Sequence, residues 1–145
     1  MTSRTSRRVI VPIAHEPDAQ MTCDAVDAYL DGEARIHILH VVEKAGGAPD
    51  KAPREAREEQ AENIFETVRT HFDGGGHDIE TELRYGTDVV DEIVAAAEEV
   101  DAEIAFVPRP SGRIKRLLSG NLTRKLVAND RVPVIVLPAA GERPE

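Results

Sequence analysis

Short apolar runs alternate with amphipathic segments along the chain, and this alternation is the feature that most limits its fold. The first two runs are apolar on both faces, as buried parallel strands are. Elsewhere apolar residues recur every three or four positions, which indicates amphipathic helices. The pattern predicts strands at Arg8–Ile13, Arg35–Val42, Ile79–Tyr85, Ile104–Val107 and Arg131–Leu137. It predicts helices at Ala19–Leu30, at Arg54–Phe72, after an N-cap at Thr87, at Arg113–Leu118 and at Leu122–Ala128.

Strands that alternate with helices predict an α/β fold, with a five-stranded parallel sheet, right-handed crossovers and helices on both faces. The third strand alternates apolar and charged residues, so we expect it to have one wet face and to lie at an edge of the sheet. A chain of 145 residues has the length of one domain. We therefore expect a single domain over 1–145, with flexible tails at 1–7 and 139–145.

The charge balance argues against several classes of protein. The chain carries 18 Lys and Arg against 27 Asp and Glu, a net charge of −9 with neutral His. Proteins that bind nucleic acids or anionic membranes need a basic surface, so neither partner is expected. No apolar run approaches the roughly 20 residues that cross a bilayer, no signal peptide is recognisable, and the single Cys23 excludes an internal disulfide. We expect a cytoplasmic protein, and its preference for Arg over Lys fits either a high-salt cytoplasm or a GC-rich genome.

The sequence lacks the motifs of common catalytic sites, so no catalytic residue is predicted. It has neither a Gly-x-x-x-x-Gly-Lys-Ser/Thr phosphate loop nor a Gly-x-Ser-x-Gly nucleophile elbow. No metal site is predicted, because His37 and His40 point to opposite faces of a strand. His71 and His77 flank a glycine loop and are expected to be solvated. His15 follows the first strand at the ligand-binding edge, as a ligand contact or as a solvated loop residue.

One segment of the acidic chain is basic. Residues 109–131 contain seven Arg and Lys and one Asp, a charge of +6 that leaves −15 for the rest of the −9 chain. Its small or hydrogen-bonding residues include Ser111, Gly112, Gly120, Asn121 and Thr123. A strand end followed by a Gly/Ser loop and a helix N-terminus can bind phosphate through backbone N–H groups. The alternative is an amphipathic basic helix that pairs with acidic neighbours or with a partner chain.

Four segments occur in an order and spacing that together point to a known family. They are Val9–Ile13, Ile38–Val42, Tyr85-Gly86 before an amphipathic helix, and Leu117–Thr123 running into Val132–Val136. With these segments, the chain resembles the universal stress protein (UspA-like) family over nearly its whole length.

The resemblance implies a Rossmann-like sheet with the strand order 3-2-1-4-5. The crevice then lies between strands one and four, where nucleotide-binding members hold ATP. The candidate nucleotide- or anion-binding residues are Val11, Pro12, Ala14, His15, Val41, Arg109, Ser111, Gly112, Gly120, Asn121 and Thr123. Members are commonly dimers, often paired through the last strand, and an apolar edge strand needs a cover. The candidate interface residues are Val132, Val134, Ile135 and Val136.

The sequence departs from the phosphate-binding pattern of the nucleotide-binding members. That pattern reads Gly, two residues, Gly, nine residues, Gly, and then Ser or Thr. Val107 and Pro110 stand at the first two Gly positions of this pattern. Gly120 matches the third, and Asn121 replaces the Ser or Thr.

These replacements weaken a backbone cradle for phosphate. Proline has no N–H group, so Pro108 and Pro110 remove potential donors and stiffen the loop. The Asp that usually follows the first strand is replaced by Ala14, whereas the adenine-side Val41 matches the family. The added charge of Arg109, Arg113 and Arg116 could compensate through bidentate contacts with phosphate.

Three functions follow as alternatives. The first is a non-catalytic, dimeric stress-response or regulatory module with weak or absent ATP binding. The second is a module that binds ATP or AMP, with at most slow hydrolysis, through a rebuilt site whose phosphate-binding residues are Arg109, Ser111, Gly112, Asn121 and Thr123. The third is an anion-responsive adaptor that docks an acidic partner through its basic segment.

Overall fold

The computed structural model describes residues 7–30, 32–43, 54–74, 77–108 and 121–138. The strands of this part of the chain are β1 Arg8–Pro12, β2 Arg35–Glu43, β3 Asp78–Gly86, β4 Glu103–Phe106 and β5 Val134–Val136. They form one sheet in the order β3-β2-β1-β4-β5, and every neighbouring pair is parallel. The α/β class, the parallel sheet and the strand order expected from the sequence are therefore confirmed.

The helices of the described chain are α1 Ala19–Tyr29, α2 Arg54–His71, α3 Val89–Glu99 and α4 Asn121–Ala128. A short 3-10 helix, Glu16–Asp18, precedes α1. No helix in the described ranges is both long enough and apolar enough to cross a membrane. The expected helix Arg113–Leu118 and most of the expected tails, 1–6 and 139–145, lie outside the described residues. Arg7 is described, and its carbonyl accepts a 2.9 Å hydrogen bond from the backbone N–H of Arg35.

Helices cover both faces of the sheet, and each face has its own apolar core. Alternation along β1 separates its side chains, so Val9 and Val11 lie in the α1/α2 core and Ile10 lies in the α3/α4 core. Other members of the α1/α2 core are Val26, Ile36, Ile64 and Val68. Other members of the α3/α4 core are Leu39, Ile93, Ile104 and Leu126. Each of these side chains is at most 1% exposed, so each contributes about 1.5–3 kcal/mol to folding.

β3 is an edge of the sheet, as its alternating pattern predicts, and charged side chains tie it to β2 and α3. Arg84 on β3 donates from Nη2 to Glu99 Oε2 at 2.9 Å and from Nε to Glu92 Oε1 at 3.2 Å. Its Nη1 donates to Glu82 Oε2 at 3.2 Å, and Glu82 Oε1 lies 2.7 Å from His37 Nε2 on β2. The hydrogen bonds from Arg84 hold the pKa of Glu99 below its usual value. We call these five side chains the Arg84 network.

β5 is the opposite edge, and its most exposed side chain is apolar. The strand has three residues, so the expected strand Arg131–Leu137 was too long. Val136 is 46% exposed, and Val127 on the preceding helix α4 is 53% exposed. The other candidate interface residues are half-buried against the cores: Val132, Val134 and Ile135.

His71 and His77 are not solvated, which corrects the expectation from the sequence. Their side chains are only 16% and 5% exposed. His71 Nε2 lies 2.7 Å from Asp27 Oδ2 on α1. Both imidazole rings also pack edge-on against Phe72, with ring centroids 4.6 and 5.7 Å away. The expectation failed because the sequence shows that these histidines flank glycines but does not show that α1 lies next to them.

Two details of the helices also differ from expectation. Asp88, rather than Thr87, caps α3, because its Oδ1 accepts a hydrogen bond from the N–H of Asp91 at 3.1 Å. Tyr29 lies three and four positions after Val26 and Ala25, a spacing that places it on the apolar face of the expected helix Ala19–Leu30, but it is 44% exposed. The buried face of α1 instead includes Ala19 and Thr22.

Candidate functional site

The carboxyl ends of β1 and β4 meet at a crevice. After β1 the chain passes to α1 on one face of the sheet, and α4 covers the opposite face. Neighbouring strands whose connections leave on opposite faces form a switch point, where α/β proteins bind ligands. A cavity of about 290 Å³ lies at this switch point, and we call it the first cavity.

The first cavity is mainly apolar. Its floor is formed by residues of the α3/α4 core: Leu39, Ile93, Phe106 and Leu126. Its polar wall residues are His15, Asp18, Thr22 and Thr123. Small-molecule sites are typically apolar pockets of roughly 300–1,000 Å³ with a few polar groups that orient the ligand. The first cavity has this composition and lies at the small end of that range.

A second cavity, of about 410 Å³, adjoins the first and is more polar. The two share Ala14, His15 and Val41 on their walls. The second cavity adds three charged side chains, those of Glu43, Asp88 and Lys125. Together the two cavities offer an apolar compartment beside a charged one, which is an arrangement suited to a ligand with an apolar ring and a charged substituent.

A buried histidine fixes the end of β1 beside β2. His40 Nδ1 lies 2.8 Å from the carbonyl oxygen of Ile13, and a carbonyl only accepts, so Nδ1 donates. The N–H of Ile13 in turn donates to the carbonyl of Leu39 at 2.9 Å. Burial lowers the pKa of His40 below its ordinary value of 6.5, with a smaller contribution from His15, so His40 is neutral at pH 7. These two bonds hold the backbone that carries Ala14 and His15 at the cavity.

The structure brings part of the expected site together. The expected residues on the cavity walls are Pro12, Ala14, His15, Val41 and Thr123. Val11 is not on either wall, because its side chain is fully buried in the α1/α2 core. The remaining candidates fall outside the description: Arg109, Ser111, Gly112, Gly120 and the side chain of Asn121, whose backbone begins α4.

Sequence reasoning missed the residues that the helices contribute to the site. Asp18 and Thr22 lie on the wall of the first cavity, and Thr22 is only 3% exposed. A signal for Thr22 was present, because it is a polar residue on a helix face that otherwise buries residues such as Ala25. Ile93 and Leu126 gave no comparable signal, since helical periodicity marks them as buried without showing that a cavity lies above them.

Among the residues that the structure describes, no three His, Cys, Asp or Glu side chains are arranged to hold a metal ion. Cys23 is fully buried, and burial, together with the nearby Asp24 and Asp27, raises the pKa of its thiol to about 12. Its thiolate is therefore scarce at neutral pH, and a thiol in this state is a poor nucleophile.

Comparison with known proteins identifies the type of fold and the family. The model of the universal stress protein family matches residues 5–138 of the chain. No curated protein matches the chain significantly.

Solved structures of universal stress proteins resemble this chain over nearly its full length. The UspA protein of Lactobacillus plantarum is 19% identical with a TM-score of 0.67, covering 94% of this chain and 99% of its own. The protein of Archaeoglobus fulgidus, solved in complex with dAMP, is 23% identical with a TM-score of 0.59, covering 92% and 98%. A universal stress protein solved in complex with cAMP is 18% identical with a TM-score of 0.60, covering 94% and 100%. At these identities the likeness concerns the fold.

Proposed function

The chain belongs to the universal stress protein family, and we propose that it is a non-catalytic regulatory module that binds adenine nucleotides weakly and works as a homodimer. The observation that carries the proposal is the first cavity, a mainly apolar space of about 290 Å³ at the switch point of the sheet. Its size and lining suit the base and sugar of one nucleotide.

The apolar floor supports the choice of an aromatic ring as the buried part of the ligand. Leu39, Ile93 and Phe106 are each at most 5% exposed and form a surface on which a flat base gains apolar contact. Two structural relatives were solved with dAMP and with cAMP, which are both adenine nucleotides. Adenine is therefore the base that we propose.

We propose that binding is weak because of the residues that would lie near the phosphates of the nucleotide. Val107 and Pro108 lie on the wall of the first cavity at the start of the segment where nucleotide-binding members have glycine. A side chain at Val107 keeps the backbone away from a phosphate, and proline donates no hydrogen bond. Glu43 and Asp88 in the second cavity add charge that repels a polyphosphate, against Lys125 on the same walls. We therefore expect ATP to bind only slightly more tightly than AMP.

The proposed homodimer rests on the β5 edge. Val136 is 46% exposed, and among the described strands β5 pairs with β4 alone, which leaves the outer N–H and C=O groups of β5 without a neighbouring strand. A second copy of the chain that meets this edge would cover the side chain of Val136.

Isothermal titration calorimetry with adenosine, AMP and ATP tests the binding. We expect adenosine and AMP to bind with dissociation constants of about 10 µM to 1 mM, and ATP to bind no more than roughly threefold tighter than AMP. Ala14→Phe, which fills the space shared by the two cavities, should abolish binding. The matched control is Ala28→Phe on the exposed face of α1, which should bind like the wild type.

Other outcomes contradict the proposal in distinct ways. Submicromolar ATP binding with a strong preference over AMP would support the rebuilt phosphate site around Arg109 and Asn121 instead. Absence of binding by all three ligands to a folded protein would reject the nucleotide function and favour the adaptor. Steady phosphate release from ATP that Ala14→Phe abolishes would contradict the non-catalytic assignment.

A further inference from the structure

His15 lies at the junction of the two cavities. It follows β1 at the carboxyl edge of the sheet, it is exposed, and it lines the walls of both the first and the second cavity. Within the described part of the chain, its imidazole makes no hydrogen bond or ion pair, and only its backbone carbonyl accepts a bond, from the N–H of Asp18 at 3.0 Å. The ring can therefore meet a ligand that reaches from one cavity into the other.

Charged groups from four elements line the same two cavities as His15. Asp18, at the end of the short 3-10 helix, lies on the wall of the first cavity. Glu43 at the end of β2, Asp88 at the start of α3 and Lys125 on α4 lie on the wall of the second. With a neutral imidazole, the second cavity holds one cation and two carboxylates, a formal charge of −1. A proton on His15 brings that charge to zero, so His15 determines whether the second cavity repels an anion.

The other histidine near the site does not change its charge. His40 is buried, and its Nδ1 donates to the carbonyl oxygen of Ile13 at 2.8 Å. Burial is the main cause that lowers the pKa of His40, and the nearby His15 adds to the effect, so the two rings are close enough to interact. Histidine is the side chain that ordinarily changes charge between about pH 5 and pH 8. Of these two rings, that of His15 is the one in contact with solvent.

The chemistry of the junction selects an anionic group on the ligand. An imidazolium donates from both ring nitrogens, and charge strengthens its hydrogen bonds to phosphate oxygens. With the base in the apolar first cavity, a charged substituent of the sugar reaches the second cavity past His15, which lines both. Lys125 lies on the wall of that second cavity, so a single phosphate there meets a fixed cation and a titrating one.

We propose that His15, as an imidazolium, binds the phosphate of the nucleotide and makes the affinity for phosphorylated ligands rise as the pH falls. This inference rests on the proposed nucleotide function and adds the residue that regulates it. The apolar cavity binds the uncharged nucleoside with the same affinity across this pH range, whereas the phosphate contributes to binding only when His15 is charged. In alkaline solution the second cavity keeps its formal charge of −1, which agrees with weak binding of nucleotides.

Isothermal titration calorimetry with adenosine and with adenosine 5′-(methyl phosphate) tests the proposal. The two ligands share base and sugar, and the methyl ester carries one fixed negative charge, whereas the phosphate of AMP itself gains a proton at about pH 6. We define the phosphate preference as the Kd of adenosine divided by the Kd of the methyl ester. We expect it to rise roughly fivefold from about pH 8 to about pH 5.5, the factor for opposite unit charges about 4 Å apart in water.

Variants separate the charge of His15 from other effects of acid. His15→Gln keeps a polar side chain that does not titrate, so its phosphate preference should not change with pH. His15→Arg carries a permanent charge and should show the high preference at both pH values. Lys125→Met should lower the preference at both pH values without removing its rise. The matched control is His37→Gln, because His37 lies on β2 outside both cavities and should leave the wild-type rise intact.

The outcomes distinguish this inference from the function on which it rests. If the wild type binds adenosine but its phosphate preference does not change with pH, the role of His15 is overturned and the nucleotide function stands. The same holds if the rise survives in His15→Gln, or if His37→Gln abolishes it equally. If His15→Gln fails to fold, His15→Arg decides, because a preference that still rises in that variant contradicts the proposal. If the wild type binds neither ligand at either pH, the proposed function fails, and this inference fails with it.

Discussion

The two edge strands of the sheet, β3 and β5, differ in length and in the kind of side chain that they expose. β3 is nine residues long and is paired with β2 along its whole length. Its Asp78 and Glu80 stand opposite Arg35 and His37 of β2, and Arg84 connects it to α3. β5 has three residues, and the exposed side chain of Val136 is apolar.

The difference indicates which edge disfavours pairing with another chain and which edge favours it. Charged side chains along an edge strand disfavour pairing with another chain, whereas an exposed apolar edge favours it. The charged β3 edge is stabilised within one chain, by cross-strand pairs and by the Arg84 network. The β5 edge is the one at which we place the partner copy.

The largest expected effect is on association through β5. Val136→Lys should convert the proposed dimer to a monomer, because it places a charge in the apolar contact and sets it opposite its own copy. Analytical ultracentrifugation at several protein concentrations measures this. The matched control is Tyr85→Lys on β3, which changes a residue that is 37% exposed and should leave the association state unchanged. A monomeric wild type, or a Val136→Lys dimer as tight as the wild type, would contradict the assignment.

The next effect is on stability at the β3 edge. Arg84→Met keeps the length of the side chain but leaves Glu82, Glu92 and Glu99 without their shared cation. We expect the free energy of unfolding to fall by roughly 1–3 kcal/mol, as measured by urea denaturation.

A comparison with Arg131 sharpens this prediction. Arg131 also makes two hydrogen bonds to one carboxylate, that of Glu98, but its side chain is 46% exposed, whereas that of Arg84 is 18% exposed. Arg131→Met should therefore cost clearly less stability, since exposed ion pairs contribute little. If Arg84→Met and Arg131→Met lose the same unfolding free energy, the Arg84 network stabilises the chain no more than an exposed ion pair does.

A smaller loss is expected at the end of β3. A Cβ atom at Gly86 would overlap the side chain of Glu92, so Gly86→Ala must displace Glu92 from Arg84. We expect a cost of about 1 kcal/mol in unfolding free energy. Gly32→Ala is the control, because nothing lies within 4 Å of its added Cβ. In combination with Arg84→Met, the effect of Gly86→Ala should shrink, and full additivity would contradict a shared network.

The smallest expected effect is on the unfolding free energy in acid. The hydrogen bond from Arg84 lowers the pKa of Glu99 from its ordinary value of 4.5. Glu99 therefore takes up a proton at a higher pH in the unfolded chain than in the folded chain. The stabilisation by its ionised carboxylate is complete above pH 4.5 and is lost as the pH falls through the lower pKa of the folded state. The difference in unfolding free energy between the wild type and Glu99→Gln should therefore narrow below pH 4.5. Glu66→Gln, at an exposed position of α2, should show no such trend. A difference that stays constant or widens in acid would contradict the prediction.

Local pattern predicted most of the fold because the signals were strong. The strand predicted at Arg8–Ile13 is observed at Arg8–Pro12, and the helix predicted at Arg54–Phe72 is observed at Arg54–His71. β5 was predicted too long, because an apolar run does not show how many residues its neighbour offers for pairing. β4, that neighbour, has only four residues.

The site was less predictable, because tertiary contacts determine it. Topology alone places strand ends such as Ala14 and Val41 together, and they do line the cavities. The contribution of Thr22 depends on the packing of α1 across the crevice, and the burial of His71 depends on Asp27 in the same way. The phosphate-binding role of Arg109 lies outside the described residues and stays a prediction.

The wall of the first cavity is assembled from both layers of the molecule. It takes residues from β1, β2, β4, α1, α3 and α4, so an occupant touches the two apolar cores at once. By thermodynamic linkage, a ligand that binds only the folded chain adds RT ln(1 + [L]/Kd) to its stability, about 0.4 kcal/mol when the ligand concentration equals Kd. For a weak site this term keeps changing at ligand concentrations near and above its high Kd. The melting temperature of such a protein would follow the supply of its ligand, and its survival under heat would depend on that supply.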